Sequence, residues 1–232
     1  MLELNSLTVG YGETIILRDL SLEIGSDEFV AVLGRNGMGK TTLLNCISGS
    51  LEAQSGEIMF NGEDITKYSA HVRARKGITL IPQGRDIFPN LTVKENLDMG
   101  AYAAADDAEI KLHDVFEYFP ILEERLSQKG GTLSGGQQQM LAIARGLLTN
   151  PNLILLDEPS EGIQPSIIKE IGKILPQIHA DYEIPIILVE QNVDLVLSTV
   201  DRAYIIENGR IVEEASIEDL ESAGLIEEYI GV

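Results

Sequence analysis

The segment Gly34-Arg35-Asn36-Gly37-Met38-Gly39-Lys40-Thr41 matches G-x-x-x-x-G-K-[ST] at every fixed position and stands between an apolar run and a helical one. The preceding Phe29-Val30-Ala31-Val32-Leu33, short and rich in β-branched residues, reads as a strand buried on both faces. Thr41 to Ser48 reads as a helix that Gly49 stops. Glycines let the backbone wrap closely around phosphates with successive N–H groups pointing inward, and a helix N-terminus adds partial positive charge. In such a loop Lys40 is expected to reach the β- and γ-phosphates, the Thr41 hydroxyl to hold magnesium, and Thr42 to complete the phosphate cradle. The pattern therefore predicts a nucleotide-binding strand, loop and helix.

Composition limits what surrounds this loop. A chain of 232 residues, 44% of them hydrophobic, can bury one large core, or one core plus a small subdomain. No stretch approaches the roughly 20 apolar residues of a spanning helix, and the opening Met1-Leu2-Glu3-Leu4-Asn5 lacks a basic-then-apolar signal pattern. The expectation is a soluble, cytoplasmic chain. A lone cysteine, Cys46, rules out an internal disulfide and reads as a packed core thiol. His71, His113 and His179 are scattered, which argues against a metal cluster. The net charge of −20, with no basic block, argues against nucleic acid and bare anionic membrane as partners. Any membrane association is then expected to run through a protein.

Turn signals divide the chain into three regions. From Met1 to about Gln83 it is strand-rich, with strands expected at Leu2–Val9, Thr14–Ile24, Phe29–Leu33, Gly56–Phe60 and Ile78–Ile81, and a hairpin turn at Asn61-Gly62. From Asn90 to Gly146 the period is helical, with a capping box at Thr92-Val93-Lys94-Glu95 and an apolar stripe at Ile110, Leu112, Val115, Phe116 and Phe119 before Pro120. Strand and helix alternation then resumes with Leu153–Leu156 and Ile186–Val189, which implies a mostly parallel sheet covered by helices. The acidic pairs Glu123-Glu124, Glu213-Glu214 and Glu227-Glu228 read as solvated faces.

Two further constellations carry chemistry. Leu153–Leu156 runs into Asp157-Glu158, so two carboxylates emerge at the carboxyl edge of the sheet, where open α/β folds bind ligands. In phosphoryl transfer Asp157 would orient the magnesium shell and Glu158 would orient or deprotonate the attacking water. The other is Leu133-Ser134-Gly135-Gly136-Gln137, opening a helix with Met140, Ile143, Ala144 and Leu147 on one face. Ser134 can cap that helix, and the glycines leave its first amides accessible to an anion.

In this order and spacing, the phosphate loop, Leu133-Ser134-Gly135-Gly136-Gln137 and Leu155-Leu156-Asp157-Glu158-Pro159 resemble the ATP-binding subunit of ATP-binding cassette (ABC) transporters over the whole chain. The resemblance implies an α/β P-loop NTPase: a mostly parallel core with an N-terminal antiparallel β-subdomain (residues 1–83 and 150–232) and an inserted helical subdomain (about 84–149). Two such subunits would face each other head to tail, each holding ATP between its own phosphate loop and the partner's Ser134, Gly135, Gly136 and Gln137. The resemblance also assigns Tyr11 to stacking on adenine, and Gln83 to magnesium and the nucleophilic water. It implies two membrane permease subunits, an indirect periplasmic solute-binding protein, and a place on the cytoplasmic face of the inner membrane. Permease docking is expected near Gln83 and the Ile87-Phe88-Pro89 segment.

Gly34-Arg35-Asn36-Gly37, Arg73-Ala74-Arg75-Lys76-Gly77-Ile78, Pro82-Gln83-Gly84-Arg85-Asp86-Ile87-Phe88-Pro89 and Glu158-Pro159-Ser160-Glu161-Gly162-Ile163-Gln164-Pro165 are similar to the second ATPase of urea importers. That type, UrtE, is a branch of the polar and branched-chain amino-acid importer family, beside the LivF-type subunit. Gln83, often Glu in LivF-type subunits, favours urea or short amides as the solute. Two departures stand out. Gln191 occupies the place of a histidine that contacts the γ-phosphate in most cassettes, and Gln164 that of an aspartate crossing the dimer interface. An amide can donate a hydrogen bond but cannot shuttle a proton. Three readings follow: a transporter motor, a nucleotide-sensing subunit with little hydrolysis, and a soluble cassette ATPase outside transport. The acidity and the lack of a long coiled-coil insertion oppose a DNA-repair role for the last.

Overall fold

The computed structural model describes residues 1–104 and 109–222; Glu227-Glu228 lie outside them. Ten strands form two sheets among the described residues. The smaller is antiparallel, in the order β2-β1-β4-β5: β1 (Leu2–Tyr11), β2 (Thr14–Ile24), β4 (Ser55–Phe60) and β5 (Glu63–Asp64). The Asn61-Gly62 turn joins β4 to β5 with both residues left-handed, φ 51° and 77°, as a two-residue hairpin of this composition demands. The larger sheet has the order β10-β9-β3-β8-β7-β6, with β3 (Phe29–Leu33), β6 (Ile78–Ile81), β7 (Leu153–Asp157), β8 (Ile186–Glu190) and β9 (Arg202–Glu207) parallel and only β10 (Arg210–Ser216) antiparallel, at one edge.

Continuous apolar runs in β3, β7 and β8 have a direct physical reason, since both faces of this sheet are covered. Phe29, Ala31, Leu33, Ile154, Leu156, Ile186 and Leu188 point into one core, shared with residues of the helices on that side. The alternate residues Val30, Val32, Leu153, Leu155, Ile187 and Val189 point into a second core against the antiparallel sheet and helix α1 (Lys40–Ser48). Cys46 lies wholly buried in this second core, where burial pushes its thiol up to about 11.

Helix α2 (Ala70–Arg75), in the strand-rich first third, escaped the period-based reading because it spans under two turns. Its Arg73 is 1% exposed and donates to the carbonyls of Cys46 (2.7 Å), Ile47 (2.9 Å), Thr66 (2.9 Å) and Tyr68 (2.9 Å). One guanidinium thus ties the C-terminal end of α1, where the helix dipole favours a cation, to the loop around Thr66.

The middle of the chain is helical: α3 (Val93–Ala103), α4 (Leu112–Tyr118), α5 (Pro120–Glu123) and α6 (Gly135–Leu147), with a short 3-10 turn at Gly130–Thr132. The capping box at Thr92 and Glu95 forms, and a second forms at Ser134 and Gln137. Ile110, Val115 and Phe119 are buried while Leu112 and Phe116 pack partly on the same core. Helices α7 (Pro165–Tyr182), α8 (Val193–Leu197) and α9 (Ile217–Ser222) are the remaining helices of the described residues. The β9 and β10 pair was not anticipated, although its Asn208-Gly209 turn, φ 49° and 77°, is a hairpin signal of the kind recognised at Asn61-Gly62. Glu123, Glu124, Glu213 and Glu214 are exposed, and Glu214 also pairs with Arg202 at 2.8 Å. No helix of the described residues is long and apolar enough to cross a membrane.

Candidate functional site

Strands β6, β7, β8 and β3 lie side by side in one parallel sheet, so the loops leaving their carboxyl ends share one edge. Those loops carry Gln83, Asp157-Glu158, Gln191 and the glycine-rich segment. Residues remote in sequence meet there because the strands run the same way.

In the loop after β3, Gly39 takes φ 107° and serves as the N-cap of α1. A Cβ on Gly39 would stand 2.6 Å from Cδ2 of Leu17, so both its backbone angle and the close approach require glycine. With no capping side chain at Gly39, the first amides of α1 keep their donors for an external acceptor. Lys40, 4% exposed, folds back to donate to the carbonyls of Gly34 (2.7 Å) and Arg35 (3.2 Å) and stands 3.3 Å from Oε1 of Glu158. Met38 donates its N–H to the Arg35 carbonyl, closing the loop.

The Thr41 hydroxyl donates to Oδ1 of Asp157 at 3.2 Å. Asp157 is 4% exposed, and burial raises its carboxyl to about pKa 6, against an opposing pull from the Thr41 hydrogen bond. Glu158 adopts φ 45°, a left-handed angle unfavourable for a residue with a Cβ, and its N–H is held by the Val189 carbonyl at 2.8 Å. Its carboxylate is gripped from both sides: Oε1 by Gln191 Nε2 (2.8 Å) and Lys40, Oε2 by Gln83 Nε2 (3.3 Å). Gln191 Nε2 also donates to Oδ1 of Asn36 at 2.7 Å, joining this cluster to the glycine-rich loop.

A cavity of about 320 Å³ opens here, lined by Ile16, Asn36, Gly37, Gly39, Lys40, Thr41, Thr42, Gln83 and Glu158. Tyr11, at the end of β1 and 54% exposed, is not among the lining residues, nor are Ser134, Gly135, Gly136 and Gln137, which start α6. Ser134 Oγ accepts the Gln137 N–H (3.3 Å) and Gln137 Oε1 accepts the Ser134 N–H (3.0 Å). Of the expected docking pair, Phe88 is 42% exposed and Ile87 is packed partly against the core.

Sequence reasoning missed four residues. Ile16 on β2 lines the cavity, but one apolar residue of an alternating strand carries no signal of that. Glu161 accepts from Gln83 Nε2 at 3.0 Å, and Arg85 spans from Gln138 Oε1 on α6 to the Glu161 carbonyl, 3.2 Å at each end. Both stood in quoted motifs without a role. Glu190, 1% exposed at the end of β8, stood beside Gln191 and was passed over.

The donors present suit a polyphosphate with a hard cation: amides at a helix N-terminus, a buried ammonium, and a hydroxyl and carboxylate oxygen side by side. Comparison with known proteins agrees. Residues 17–161 match the ABC transporter family. The high-affinity branched-chain amino acid transport ATP-binding protein BraG of Pseudomonas aeruginosa is 45% identical over 213 residues, 91% of each chain. The probable branched-chain amino acid transport ATP-binding protein LivF of Archaeoglobus fulgidus is 38% identical over 222 residues, 95% of this chain and 94% of that one. A dimeric structure of a post-hydrolysis state of an ATP-binding cassette, bound to ADP and Pi, matches with a TM-score of 0.82 at 25% identity, covering 94% of this chain and 99% of that chain. This chain belongs to the ABC transporter ATP-binding family, whose cassettes bind ATP and are ATPases.

Proposed function

We propose that this chain is the ATPase subunit of an importer for branched-chain or related amino acids. The observation that carries the solute class is the near full-length similarity to BraG and LivF, both named for branched-chain amino acid transport. A second reading, urea or short amides, rests on the likeness of the segments at residues 34–37, 73–78, 82–89 and 158–165 to the second ATPase of urea importers and on Gln83, and neither of those two relatives adds support for it. The cassette never touches the solute, so its sequence records solute only by descent.

In the proposed division of labour, Gly34 to Thr42 hold the phosphates, with Lys40 turning from the Gly34 carbonyl toward the β- and γ-phosphates. Magnesium, when bound, would neutralise phosphate charge and orient the in-line attack. The Thr41 hydroxyl and Asp157 carboxylate, 3.2 Å apart, are suited to its shell, with Gln83 beside them. Glu158 Oε1 and Oε2, held by Gln191 and Gln83, would take the proton of the attacking water. Tyr11 would stack on adenine at the rim. Ser134 to Gln137 would complete the site of a second ATPase subunit facing this one, and closure would move residues 84–149 relative to the lobe of 1–83 and 150–232. The Phe88 surface would pass that motion to two permease subunits on the cytoplasmic face of the membrane, fed by a periplasmic binding protein.

The test is magnesium-dependent ATP hydrolysis by the full chain and by its complex with the partner ATPase and permeases, wild type against Glu158→Gln. Loss of at least about a hundredfold in turnover with ATP binding kept is expected. Tight binding with no Glu158-dependent turnover would favour a nucleotide sensor. Uptake by the complex of labelled leucine in preference to urea separates the two solute readings.

A further inference from the structure

Glu190 closes β8 with a side chain 1% exposed, and none of the proposed steps uses it. Its Oε1 accepts the N–H of Ser160 at 2.9 Å, and its Oε2 accepts the N–H groups of Gln191 (2.7 Å) and Asn192 (2.8 Å). Ser160 lies two residues beyond Glu158, and Gln191 is the residue whose amide holds Glu158. One buried carboxylate therefore fastens the loop after β7 to the loop after β8.

Packing alone does not call for a carboxylate here. An apolar side chain would fill the space but leave the N–H groups of Ser160, Gln191 and Asn192 without this acceptor, so the carboxylate satisfies those amides and, in doing so, fixes the geometry between the two loops. Three backbone amides aimed at two oxygens set the peptides on either side of Gln191 and fix where its side chain starts. From that start Gln191 Nε2 reaches Glu158 Oε1 at 2.8 Å and Asn36 Oδ1 at 2.7 Å. A carboxamide has no charge to draw Glu158 into place, so its effect depends on alignment.

We propose that Glu190 is a positioning residue for ATP hydrolysis: it sets the Gln191 backbone so that the Gln191 carboxamide orients Glu158 toward the attacking water. The inference rests on the reading of Glu158 as the group that takes the water's proton. Glu190→Gln replaces one acceptor oxygen with a donor that opposes a backbone N–H. Glu190→Asp keeps the charge but withdraws it by one methylene, too short to reach Ser160 and Gln191 together.

The experiment measures kcat and KM for magnesium-ATP with the full chain and its assembled complex, together with binding of a fluorescent ATP analogue and thermal melting. The variants are Glu190→Gln, Glu190→Asp, Gln191→Ala, the Glu190→Gln/Gln191→Ala double variant and Glu158→Gln. Both Glu190 variants are expected to lose roughly tenfold to a hundredfold in kcat, the scale of an ångström-sized misplacement, with KM and analogue binding within about twofold. In the double variant the loss should be much smaller than the product of the single losses, because both act through one alignment. A folded Glu190 variant with wild-type kcat, or losses that multiply in full, overturns the proposal. So does failure of both variants to fold, which would make Glu190 a folding residue only. Normal turnover by Glu158→Gln would instead overturn the proton-acceptor reading, and the Glu190 proposal with it.

Discussion

Replacing Arg73 by Met tests how the phosphate-binding helix is anchored. The guanidinium is 1% exposed and donates to four carbonyls, and burial holds its pKa below the usual arginine value. Removing it leaves the Cys46 carbonyl with the Gly49 N–H at 3.2 Å, whereas the carbonyls of Ile47, Thr66 and Tyr68 lose the donor that arginine supplied. At about 1 kcal/mol for each stranded carbonyl, the low end of the range because water can enter the space, the cost is about 3 kcal/mol. Relief of the buried charge offsets part of the gross loss of charge-assisted bonds, which is why the sum of four full bond energies does not apply. In a chain of this length, that cost lowers the melting temperature by about 6 to 12 °C. Melting followed by circular dichroism at pH 7, checked by urea unfolding with an unchanged m-value, reads it directly. Arg73→Lys, which keeps the charge but loses the fork, should fall between wild type and Arg73→Met. Melting of Arg73→Met within about 2 °C of wild type would refute the anchoring argument.

Asp157→Asn should stabilise the metal-free protein at high pH. The folded chain keeps the Asp157 proton up to about pH 6 while an ordinary aspartate releases it near 3.8, so this group's contribution is fullest below pH 3.8 and is lost as pH rises through 6. The variant should therefore gain up to about 3 kcal/mol at pH 8 in EDTA, shrinking toward zero near pH 4; a gain independent of pH in urea titrations would contradict this. Asn96, 0% exposed, accepts the Phe88 N–H (2.8 Å) and donates to the Phe88 and Thr92 carbonyls (3.0 and 2.9 Å), so Asn96→Leu should cost about 2 kcal/mol and speed amide exchange across residues 88–92. Slow exchange there in the variant would count against it. Gly39→Ala, forced to φ 107° and against Leu17, should weaken binding of a fluorescent ATP analogue by at least about tenfold through strain of about 1 to 3 kcal/mol, and unchanged titration curves would sink that expectation.

Much of this protein was decided by local chemistry that a linear chain displays. Gly34 to Thr41, the cap at Ser134, the capping box at Thr92 and the turn at Asn61-Gly62 each act within a few residues, so their structure follows from residue type and spacing. The continuous apolar runs of β3, β7 and β8 likewise announced a sheet covered on both faces. What the sequence could not display is which distant side chains meet. The order β3-β8-β7-β6 places Gln191 and Gln83 on opposite oxygens of Glu158, and nothing along the chain encodes a contact across 33 or 75 positions. Glu190 and Arg73 show the same limit from within: a charged residue in sequence is expected at the surface, and only the tertiary structure adds the Ser160 amide to the two that follow Glu190 in the chain, and the Cys46 and Ile47 carbonyls to the nearer ones around Arg73, which makes burying each of them tolerable.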